Sequence, residues 1–363
     1  MEPGTIIIIY GPRRTGKTTL LKKLIDSEKD MAILYINAED EEEGQLLDRG
    51  SLVKLIDILQ NYSLLIIDEA QEIDQLGLKL KIIMDEVSEL RVILSGSHSF
   101  DIAKDEQEAL SGRKIFLKQY PSAEMEITKA EELEENGNSL EARLIYGAYP
   151  EVILTSNRFL REEYLREYGK SFLYRDIVKM ENLIYKNKLE HLLTYLALRI
   201  GTEISIRDLA RELEIKKDRV EHYLDLFEKL FFIYSLKGLK RNSPKEMATD
   251  RRYYFYDNGI RNAVIGNFAP LEKRNDIKQL WENYIIGERF KRQEYLSQKC
   301  PAYFWITSDK EEIDLVEEKD GKLEGYDMRW ECINMEPPAE WVARYPGARF
   351  TVIHKGNYTK FIL

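Results

Sequence analysis

The residues best suited to chemistry lie near the N-terminus, where glycine, lysine and threonine occur at a characteristic spacing. The segment Gly11-Pro-Arg-Arg-Thr-Gly16-Lys17-Thr18 has the G-x-x-x-x-G-K-[ST] pattern. An apolar run ends at Tyr10 and an amphipathic helix is predicted from about Lys17, so the segment joins a strand to a helix. Glycine-rich backbone and a helix N-terminus present N–H groups to phosphate. The sequence therefore predicts a phosphate-binding loop, with a plain glycine turn as the alternative, made by Gly11, Pro12, Arg13, Arg14, Thr15, Gly16, Lys17, Thr18 and Thr19.

Two carboxylates at the end of another hydrophobic run would complete such a site. Leu64-Leu-Ile-Ile leads into Asp68 and Glu69, about 50 residues after the loop. We expect Lys17 to reach the β- and γ-phosphates of a nucleotide, and Thr18 and Asp68 to hold Mg²⁺. An acid directly after the Mg²⁺-binding aspartate favours hydrolysis, so Glu69 is predicted to orient the attacking water. A solvated acid at a strand end is the alternative.

Two further residues could act on the γ-phosphate. The run Val92-Ile-Leu-Ser95-Gly96-Ser97 ends in small polar residues, and Ser97 is predicted to sense the γ-phosphate or hold the water. Ser111-Gly112-Arg113 precedes the next apolar run. Arg113 would neutralise transition-state charge, in cis or from a neighbouring subunit, or else be a surface arginine. His98 fits a loop residue better than a catalyst.

These side chains need a scaffold that brings strand ends together, and the first 120 residues have the pattern of one. Short Ile/Leu/Val-rich runs alternate with segments that carry apolar residues at helical spacing. Continuous apolar runs are typical of parallel strands that are buried on both faces. We therefore predict a doubly wound α/β domain, with strands at Thr5–Tyr10, Ala32–Asn37, Tyr62–Asp68, Arg91–Gly96 and Lys114–Lys118 and helices at Leu20–Asp26, Leu52–Gln60 and Leu76–Glu89.

From about Ser122 the pattern becomes helical. Charged helices are predicted within 122–145, and longer amphipathic helices at Arg161–Lys179 and Lys188–Ile200. The pattern then predicts a helix at Ile206–Leu213 capped by Ser205, a helix at Asp218–Leu230, and strands at Phe231–Leu236 and Tyr253–Asp257. This order of helix, turn, helix and strand predicts a winged helix, with residues 237–252 as its wing.

A last α/β segment begins near Asp276. Its pattern predicts one long helix followed by four strands, at Ile277–Leu296 and at Ala302–Thr307, Glu312–Glu317, Leu323–Trp330 and Phe350–His354. The 363 residues thus divide into three predicted domains: a P-loop core at 1–120, a helical lid with the winged helix at 121–270, and a small α/β domain at 271–363.

Composition limits the classes of partner. The net charge of −10 argues against a protein whose whole surface binds polyanions, and two cysteines exclude a disulfide scaffold or a four-cysteine zinc site. The four histidines have no metal-ligand spacing, and no apolar run reaches membrane-spanning length. Because the N-terminus does not have the pattern of a signal peptide, we expect a cytoplasmic protein without a membrane partner.

Charge also separates two candidate nucleic-acid contacts. The predicted recognition helix, Asp218–Leu230, carries four acidic and two basic residues, so we expect it to pack against protein rather than enter a DNA groove. The segment Lys237–Arg252 carries six basic and two acidic residues. It is predicted to make weak, non-sequence-specific contact with a nucleic-acid backbone.

The motifs of this chain together resemble the prokaryotic AAA-like P-loop ATPases that pair a P-loop domain with a winged helix and a C-terminal nuclease-like domain. The resemblance covers nearly the whole chain and implies ATP binding and hydrolysis. It rests on the loop at 11–18, Ile-Asp-Glu-Ala-Gln at 67–71, Leu-Ser-Gly-Arg at 110–113, Tyr-Gly-Ala-Tyr-Pro-Glu at 146–151, Tyr-Arg-Asp-Ile at 174–177, Tyr-Phe-Tyr-Asp-Asn-Gly at 254–259, Trp-Glu-Asn-Tyr-Ile at 281–285 and Glu-Ile-Asp-Leu-Val at 312–316.

The nuclease-like domain that the resemblance implies is of the PD-(D/E)XK type, in which two acids hold Mg²⁺ and a lysine supports the attacking water. Asp314 and Asp327 would be the two acids, with Glu282 as a further ligand. Arg329 stands at the lysine position, and a guanidinium keeps its proton at neutral pH. We therefore expect a nuclease fold without cleavage activity.

ATP hydrolysis is thus the predicted function, with ATP and Mg²⁺ bound at the loop. A slow-turnover, ATP-dependent molecular switch in signalling or defence is one alternative, because the same residues would serve it. An ATP-gated DNA-binding or nuclease protein is another, supported by the basic segment Lys237–Arg252. A protein partner and an oligomeric state are both compatible with the sequence.

Overall fold

The computed structural model describes residues 2–47, 51–97, 114–131, 139–180, 186–239 and 251–363, with the backbone alone at 130–131, 170–180 and 186. The chain divides into two compact units, Met1–Tyr120 and Pro121–Leu363. Each unit has its own β-sheet and its own hydrophobic core. No helix within the described ranges is both long enough and apolar enough to cross a membrane.

The N-terminal unit is built on a five-stranded sheet in which all paired strands run parallel. The order across the sheet is β2-β3-β4-β1-β5. The predicted α/β fold with a parallel sheet is confirmed, and each strand lies within two residues of its predicted bounds. The strands are β1 at Ile6–Tyr10, β2 at Ile33–Asn37, β3 at Leu64–Asp68, β4 at Arg91–Gly96 and β5 at Lys114–Lys118.

Helices cover both faces of this sheet because alternate strand residues point to opposite sides. Ile6 and Ile67 pack in one core together with residues of α3 and α4. Ile9 and Ile66 pack in a second core together with Leu21 of α1. The central strands are thereby buried on two faces, as their apolar runs predict. The helices are α1 at Lys17–Ser27, α2 at Glu41–Gly44, α3 at Leu52–Leu59 and α4 at Leu76–Glu86.

Strand β5 departs from this pattern because it lies at the edge of the sheet. Ile115, Phe116 and Leu117 are each about half exposed. The prediction of burial on both faces is therefore wrong for this strand. An apolar run does not reveal whether a strand has one neighbour or two, because that depends on the topology of the sheet.

The parallel arrangement brings the functional strand ends to one edge of the sheet. Tyr10 at the end of β1 is paired with Gly96 at the end of β4, and Asn37 with Asp68 at the ends of β2 and β3. The loop predicted to bind phosphate leaves β1, and Asp68 ends β3, with only β4 between these two strands. The carboxyl ends of parallel strands form the crevice in which such sheets bind ligands.

The second unit begins with helices and continues into a mixed sheet. The helices are α5 at Glu124–Glu131, α6 at Leu140–Tyr146, α7 at Pro150–Leu154, α8 at Arg158–Met180, α9 at Lys186–Leu198, α10 at Ile206–Glu212, α11 at Lys217–Lys229, α12 at Asn258–Ile265, α13 at Ile277–Tyr295, α14 at Ala339–Arg344 and α15 at Thr359–Ile362. The strands are β6 at Glu203–Ile204, β7 at Ile233–Gly238, β8 at Arg251–Phe255, β9 at Ala302–Ile306, β10 at Glu312–Lys319, β11 at Lys322–Met328 and β12 at Arg349–Ile353.

The elements β6, α10, α11, β7 and β8 follow the order that predicts a winged helix. Ser205 caps α10 as predicted, because its side chain accepts a hydrogen bond from the Asp208 N–H. Helix α11 buries Val220, Leu224 and Phe227. Its charged side chains pair with one another on the exposed face, as Lys217 does with Glu221. This arrangement suits a helix that packs against protein.

One sheet and one large hydrophobic core run through the described part of the second unit, with a smaller cluster around Trp305 and Trp341. The strand order is β12-β11-β10-β9-β7-β8-β6, and β7 pairs with β9. Phe227, Tyr254, Trp281 and Leu315 belong to the same core. The division into three domains stays a prediction, and its boundary at residue 270 falls within this continuous sheet and core.

Two of the motifs that carry the family resemblance meet at a buried carboxylate. Asp257 accepts hydrogen bonds from the N–H groups of Ala148 at 2.7 Å and Ile260 at 3.0 Å, and so caps α12. Gly147 has a φ of 74°, and a Cβ there would lie 2.0 Å from Oδ1 of Asp257. A third motif joins them, since the side chain of Asn283 bonds both backbone groups of Phe255. These motifs therefore tie α6, β8, α12 and α13 together.

We predict that Gly147→Ala destabilises the second unit much more than Gly266→Ala. Both glycines have a φ near +70°, but nothing lies within 4 Å of a Cβ at Gly266. Left-handed backbone strain should lower the free energy of unfolding by about 1 kcal/mol in Gly266→Ala. Gly147 has a ψ of −159°, a backbone conformation essentially restricted to glycine, so its variant should lose about 1–3 kcal/mol through strain and about 2 kcal/mol more through the displaced Asp257. All four tryptophans lie in this unit, so urea unfolding followed by tryptophan fluorescence measures it. Equal losses in the two variants would contradict the role given to Asp257.

Candidate nucleotide-binding site

The loop after β1 is held by hydrogen bonds to its own carbonyl groups. Lys17 Nζ donates to the carbonyl oxygens of Gly11 at 3.0 Å and Pro12 at 2.8 Å. The Thr15 hydroxyl also donates to the Pro12 carbonyl, at 2.9 Å. From the end of β5, Gln119 Nε2 donates to the Thr15 carbonyl at 2.7 Å. Because these carbonyl groups accept hydrogen bonds from within the protein, the backbone N–H groups of the loop can face an anion.

The loop passes so close to the end of β5 that only glycine fits at its first position. A Cβ on Gly11 would lie 1.8 Å from the carbonyl oxygen of Gln119. The Gln119 N–H donates to the Tyr10 carbonyl at 2.8 Å, and the Gly11 N–H donates to the Gly96 carbonyl at 3.3 Å. The start of the loop is therefore fixed by both strands that flank β1.

Asp68 is buried at the end of β3, where hydroxyl groups engage both of its oxygens. Tyr35 donates to Oδ2 at 2.9 Å, and Ser95 donates to Oδ1. Partial burial and the adjacent Asp68 carboxylate raise the pKa of Tyr35, so its phenol stays a donor. Neutral donors orient the Asp68 carboxylate without neutralising it, which suits a group that is to bind a cation.

Glu69 follows in a left-handed backbone conformation, with a φ of 51°. Its N–H donates to Asp68 Oδ1 at 3.1 Å and to Ser95 Oγ at 3.2 Å. Its Oε2 accepts a hydrogen bond from Gln71 Nε2 at 2.6 Å. Left-handed backbone costs a non-glycine residue about 1 kcal/mol and is characteristically found at functional sites.

The structure brings most of the predicted site residues to the same edge of the sheet. Lys17 and Thr18 lie in the first turn of α1, and Asp68 and Glu69 lie at the end of β3. Ser97 is buried directly after β4, and its N–H donates to Gln71 Oε1 at 3.3 Å. Arg113 and His98 lie outside the described residues. Of the remaining loop residues, Arg13, Arg14 and Gly16 lie between β1 and α1, and Thr19 lies in the first turn of α1.

Four neighbours of the predicted residues do not follow from the sequence: Tyr35, Gln71, Ser95 and Gln119. Ser95 had a signal, because it is a polar residue at the end of the apolar strand β4, two residues before the predicted Ser97. Tyr35 and Gln119 had none, because their partners are 33 and 104 residues away in the chain. Such pairs depend on the sheet topology.

Comparison with protein-family models agrees with this geometry. Residues 3–128 match a family described as an AAA domain. The N-terminal unit is an AAA-like P-loop domain. Two further segments match families of unknown function, a Domain of unknown function (DUF8612) at residues 137–271 and a Domain of unknown function (DUF4143) at residues 278–331.

Uncharacterized proteins of other organisms resemble the chain beyond the AAA-like domain. One of Methanocaldococcus jannaschii is 27% identical over 65% of this chain and 57% of its own length. One of Mycobacterium tuberculosis is 25% identical over 89% of this chain and 70% of its own length. The chain thus spans little more than half the length of the first relative.

Two solved structures were also similar to the chain. A DNA replication initiation factor has a TM-score of 0.31 and 16% identity over 62% of this chain and 82% of its own. The Aeropyrum pernix Orc1 protein, in complex with DNA, has a TM-score of 0.34 and 13% identity over 72% of this chain and 87% of its own. Because both TM-scores are low, neither structure identifies the fold. The AAA-like fold is recognised from the sheet order and the loop geometry of the domain itself.

An AAA-like P-loop domain implies Mg²⁺ beside the nucleotide, and the residues present fit that ion. The Thr18 hydroxyl and the Asp68 carboxylate supply hard oxygen donors, which Mg²⁺ prefers. No group of three or more His, Cys, Asp or Glu side chains suited to a metal occurs among the described residues. Mg²⁺ does not require such a cage, because substrate phosphates and water usually complete its coordination.

The acidic cluster of the second unit does not fit a metal. Asp314 and Asp327 are 1% and 0% exposed. Arg329 Nη2 donates to Asp327 at 3.0 Å, while Arg252 lies 2.7 Å from Glu312 and 3.7 Å from Asp314. Arg329 therefore compensates the charge of Asp327, while burial and the adjacent Asp327 raise the pKa of Asp314, which disfavours the charged form that would bind Mg²⁺. The expected absence of cleavage activity stays a prediction.

The basic segment Lys237–Arg252 offers less positive surface than its composition predicts. Arg252 is only 3% exposed and is committed to the acidic cluster. Arg251 donates to the Ser235 hydroxyl at 3.1 Å. Residues 240–250 lie outside the described ranges. The predicted nucleic-acid contact stays a prediction, and Arg252 has no part in it.

Glu282 should make the second unit less stable as the pH rises. Burial and the adjacent Asp314 raise the pKa of Glu282 from 4.5 to about 8, although Arg252 and Lys278 oppose the shift. Between these values the unfolded chain binds fewer protons than the folded one, so the free energy of unfolding falls with increasing pH. Glu282→Gln removes this dependence and retains an acceptor for the Tyr254 hydroxyl.

We expect Glu282→Gln to exceed the wild type in free energy of unfolding by about 2–4 kcal/mol at pH 8.5, with little difference at pH 4.5. Urea unfolding at the two pH values, followed by tryptophan fluorescence, measures the effect. Glu272→Gln, at an exposed position, is the control and should match the wild type at both. An unchanged pH dependence in Glu282→Gln would contradict the assignment.

Proposed function

We propose that the chain binds ATP with Mg²⁺ at the phosphate loop and hydrolyses the bond to its γ-phosphate. The fixed position of Glu69 carries this proposal: its N–H and its carboxylate are both held, directly after Asp68 and two strands from the loop. A site that only binds ATP needs no positioned acid beyond its metal ligand. The AAA-domain match at residues 3–128 supports nucleotide binding.

ATP binding would require Lys17 to exchange its hydrogen-bond partners. Its ammonium donates to two neutral carbonyls of the loop, those of Gly11 and Pro12. Charged phosphate oxygens form stronger hydrogen bonds with an ammonium than neutral carbonyls do. Lys17 would therefore turn toward the β- and γ-phosphates, while N–H groups of the loop and of the first turn of α1 bind the remaining oxygens.

Thr18 and Asp68 would hold Mg²⁺, which when bound neutralises charge on the phosphate oxygens. Tyr35 and Ser95 support this role of Asp68, because their hydroxyl groups fix the carboxylate in one orientation. These residues would thereby act together to hold negative phosphate oxygens and a divalent cation at a single edge of the sheet.

Glu69 would accept a hydrogen bond, and then a proton, from a water placed in line with the γ-phosphate. Ser97, at the end of the strand between β3 and β1, is proposed to contact the γ-phosphate. Arg113 is proposed to neutralise the charge that develops there. The roles of Ser97 and Arg113 rest on their place in the sequence order of the domain.

Two variants and one control test this proposal by their effects on ATP binding and turnover. Lys17→Ala should lower ATP affinity and hydrolysis by about 100-fold or more, because it removes the charge that binds the phosphates. Glu69→Gln should keep ATP affinity and lower kcat by about 100-fold, because the amide cannot accept a proton from water. Lys22→Ala, on the exposed face of the same helix, is the control and should match the wild type.

Calorimetry with ATP and Mg²⁺ measures binding, and release of inorganic phosphate at saturating ATP measures turnover. If the wild type binds no ATP, or if Lys17→Ala matches it in both assays, the proposal is wrong. If Glu69→Gln turns over ATP as fast as the wild type, the proposed ATP binding stands, but the proposed role of Glu69 in hydrolysis is wrong.

A further inference from the structure

The side chain of Gln71 joins the proposed catalytic carboxylate to the neighbouring strand. Its Nε2 donates to Glu69 Oε2 at 2.6 Å, and its Oε1 accepts from the N–H of Ser97 at 3.3 Å. Both ends of the amide are therefore used at once. Gln71 lies in a short 3-10 helix, Ala70–Glu72, that follows β3, while Ser97 directly follows β4.

This bridge completes the restraint of Glu69. The backbone of Glu69 is already fixed, because its N–H is shared between Asp68 and Ser95. A fixed backbone still leaves a glutamate side chain three rotatable bonds, so the carboxylate could point in several directions. Gln71 removes that freedom and directs the carboxylate toward the end of β4.

That direction is the productive one for attack on a phosphate at the loop. The order β3-β4-β1 places β4 between Glu69 and the strand that carries the loop. Adjacent strands lie about 4.8 Å apart, so the ends of β3 and β1 are separated by about 10 Å. A carboxylate held toward β4 lies nearer to the loop than one that points away from β4.

An amide is also the chemically suitable partner for a general base. A lysine or arginine at this position would stabilise the charged carboxylate and lower its pKa, which would make it a weaker base. A neutral N–H donor fixes the geometry with less effect on basicity. It engages Oε2 only, so Oε1 keeps its capacity to accept from water.

We propose that Gln71 is a positioning residue for Glu69 in ATP hydrolysis, an inference that rests on the function proposed above. It acts through Glu69 and has no contact with the substrate. Its loss should therefore lower the rate of the chemical step while ATP affinity is kept.

Gln71→Ala tests this by separating kcat from KM. We expect kcat to fall by about 10–100-fold with KM changed by less than about threefold. Gln60→Ala, at the exposed end of α3, is the matched control and should retain both constants. Wild-type kcat in Gln71→Ala, or a loss confined to KM, would overturn the inference.

Gln71→Glu supplies a readout that a purely structural role would not change, and it decides the question if Gln71→Ala fails to fold. It keeps the length of the side chain but replaces the N–H donor to Glu69 Oε2 with a carboxylate oxygen, which cannot donate. We expect kcat to fall by about 10–100-fold, as in Gln71→Ala, with KM changed by less than about threefold. Wild-type kcat in Gln71→Glu would overturn the inference.

Glu69→Gln, measured beside these variants, separates the two levels of the proposal. If Glu69→Gln is inactive and Gln71→Ala has the wild-type kcat, only the role of Gln71 fails. If Glu69→Gln is fully active, the hydrolytic role of Glu69 fails, and the role of Gln71 fails with it.

Discussion

The site depends on one constraint: the carbonyl groups of the phosphate loop must find donors within the protein, so that its N–H groups can face an anion. Thr15 and Gln119 supply lasting donors, and Lys17 donates to two of these carbonyl groups until ATP takes their place. Two of these donors belong to the loop and its helix, and the third reaches it from β5. The close approach of Gly11 to Gln119 keeps that third donor in place. The parallel sheet is thus part of the binding site, because it brings the end of β5 against the loop.

The hydrogen-bond and ion-pair partners of the buried acids also explain why Asp68 differs from Asp314 and Asp327. Asp68 is bound by neutral hydroxyl groups, which orient it and leave its charge for a cation. Asp314 and Asp327 lie beside the guanidinium groups of Arg252 and Arg329. A buried carboxylate keeps its charge beside an arginine, but that charge is already compensated, so a metal ion gains less by binding it. Partner chemistry therefore distinguishes a metal ligand from a structural ion pair where sequence spacing does not.

Sequence patterning predicts the elements of the N-terminal unit well, because its apolar runs and its loop motif both reflect local geometry. The ends of β1, β3 and β4 follow from those runs, and Lys17 begins α1 as expected. The sequence could not predict the half-exposed β5, because edge position depends on the order of strands. In the second unit, helices such as Pro150–Leu154 and Thr359–Ile362 escape prediction because they are too short to show a helical period.

The residues around the predicted site are the hardest to foresee. The sequence points to the hydroxyl of Ser97, yet the backbone N–H of Ser97 is the group that bonds Gln71, while Ser95 supplies the hydroxyl that bonds Asp68. Both facts depend on which strand lies beside β3. The motifs at 146–151 and 254–259 likewise have a clear role only once Asp257 is seen to join them. Long-range hydrogen bonds of this kind arise from topology, and a single sequence does not encode them in any local pattern.

The most direct test of ATP binding at the loop is a crystal structure of the full chain with Mg²⁺ and a non-hydrolysable ATP analogue. We expect Lys17 Nζ to leave the carbonyls of Gly11 and Pro12 and to bond the β- and γ-phosphates, with Mg²⁺ held by Thr18 and Asp68. A nucleotide bound elsewhere, with Lys17 still on those two carbonyls, would contradict it.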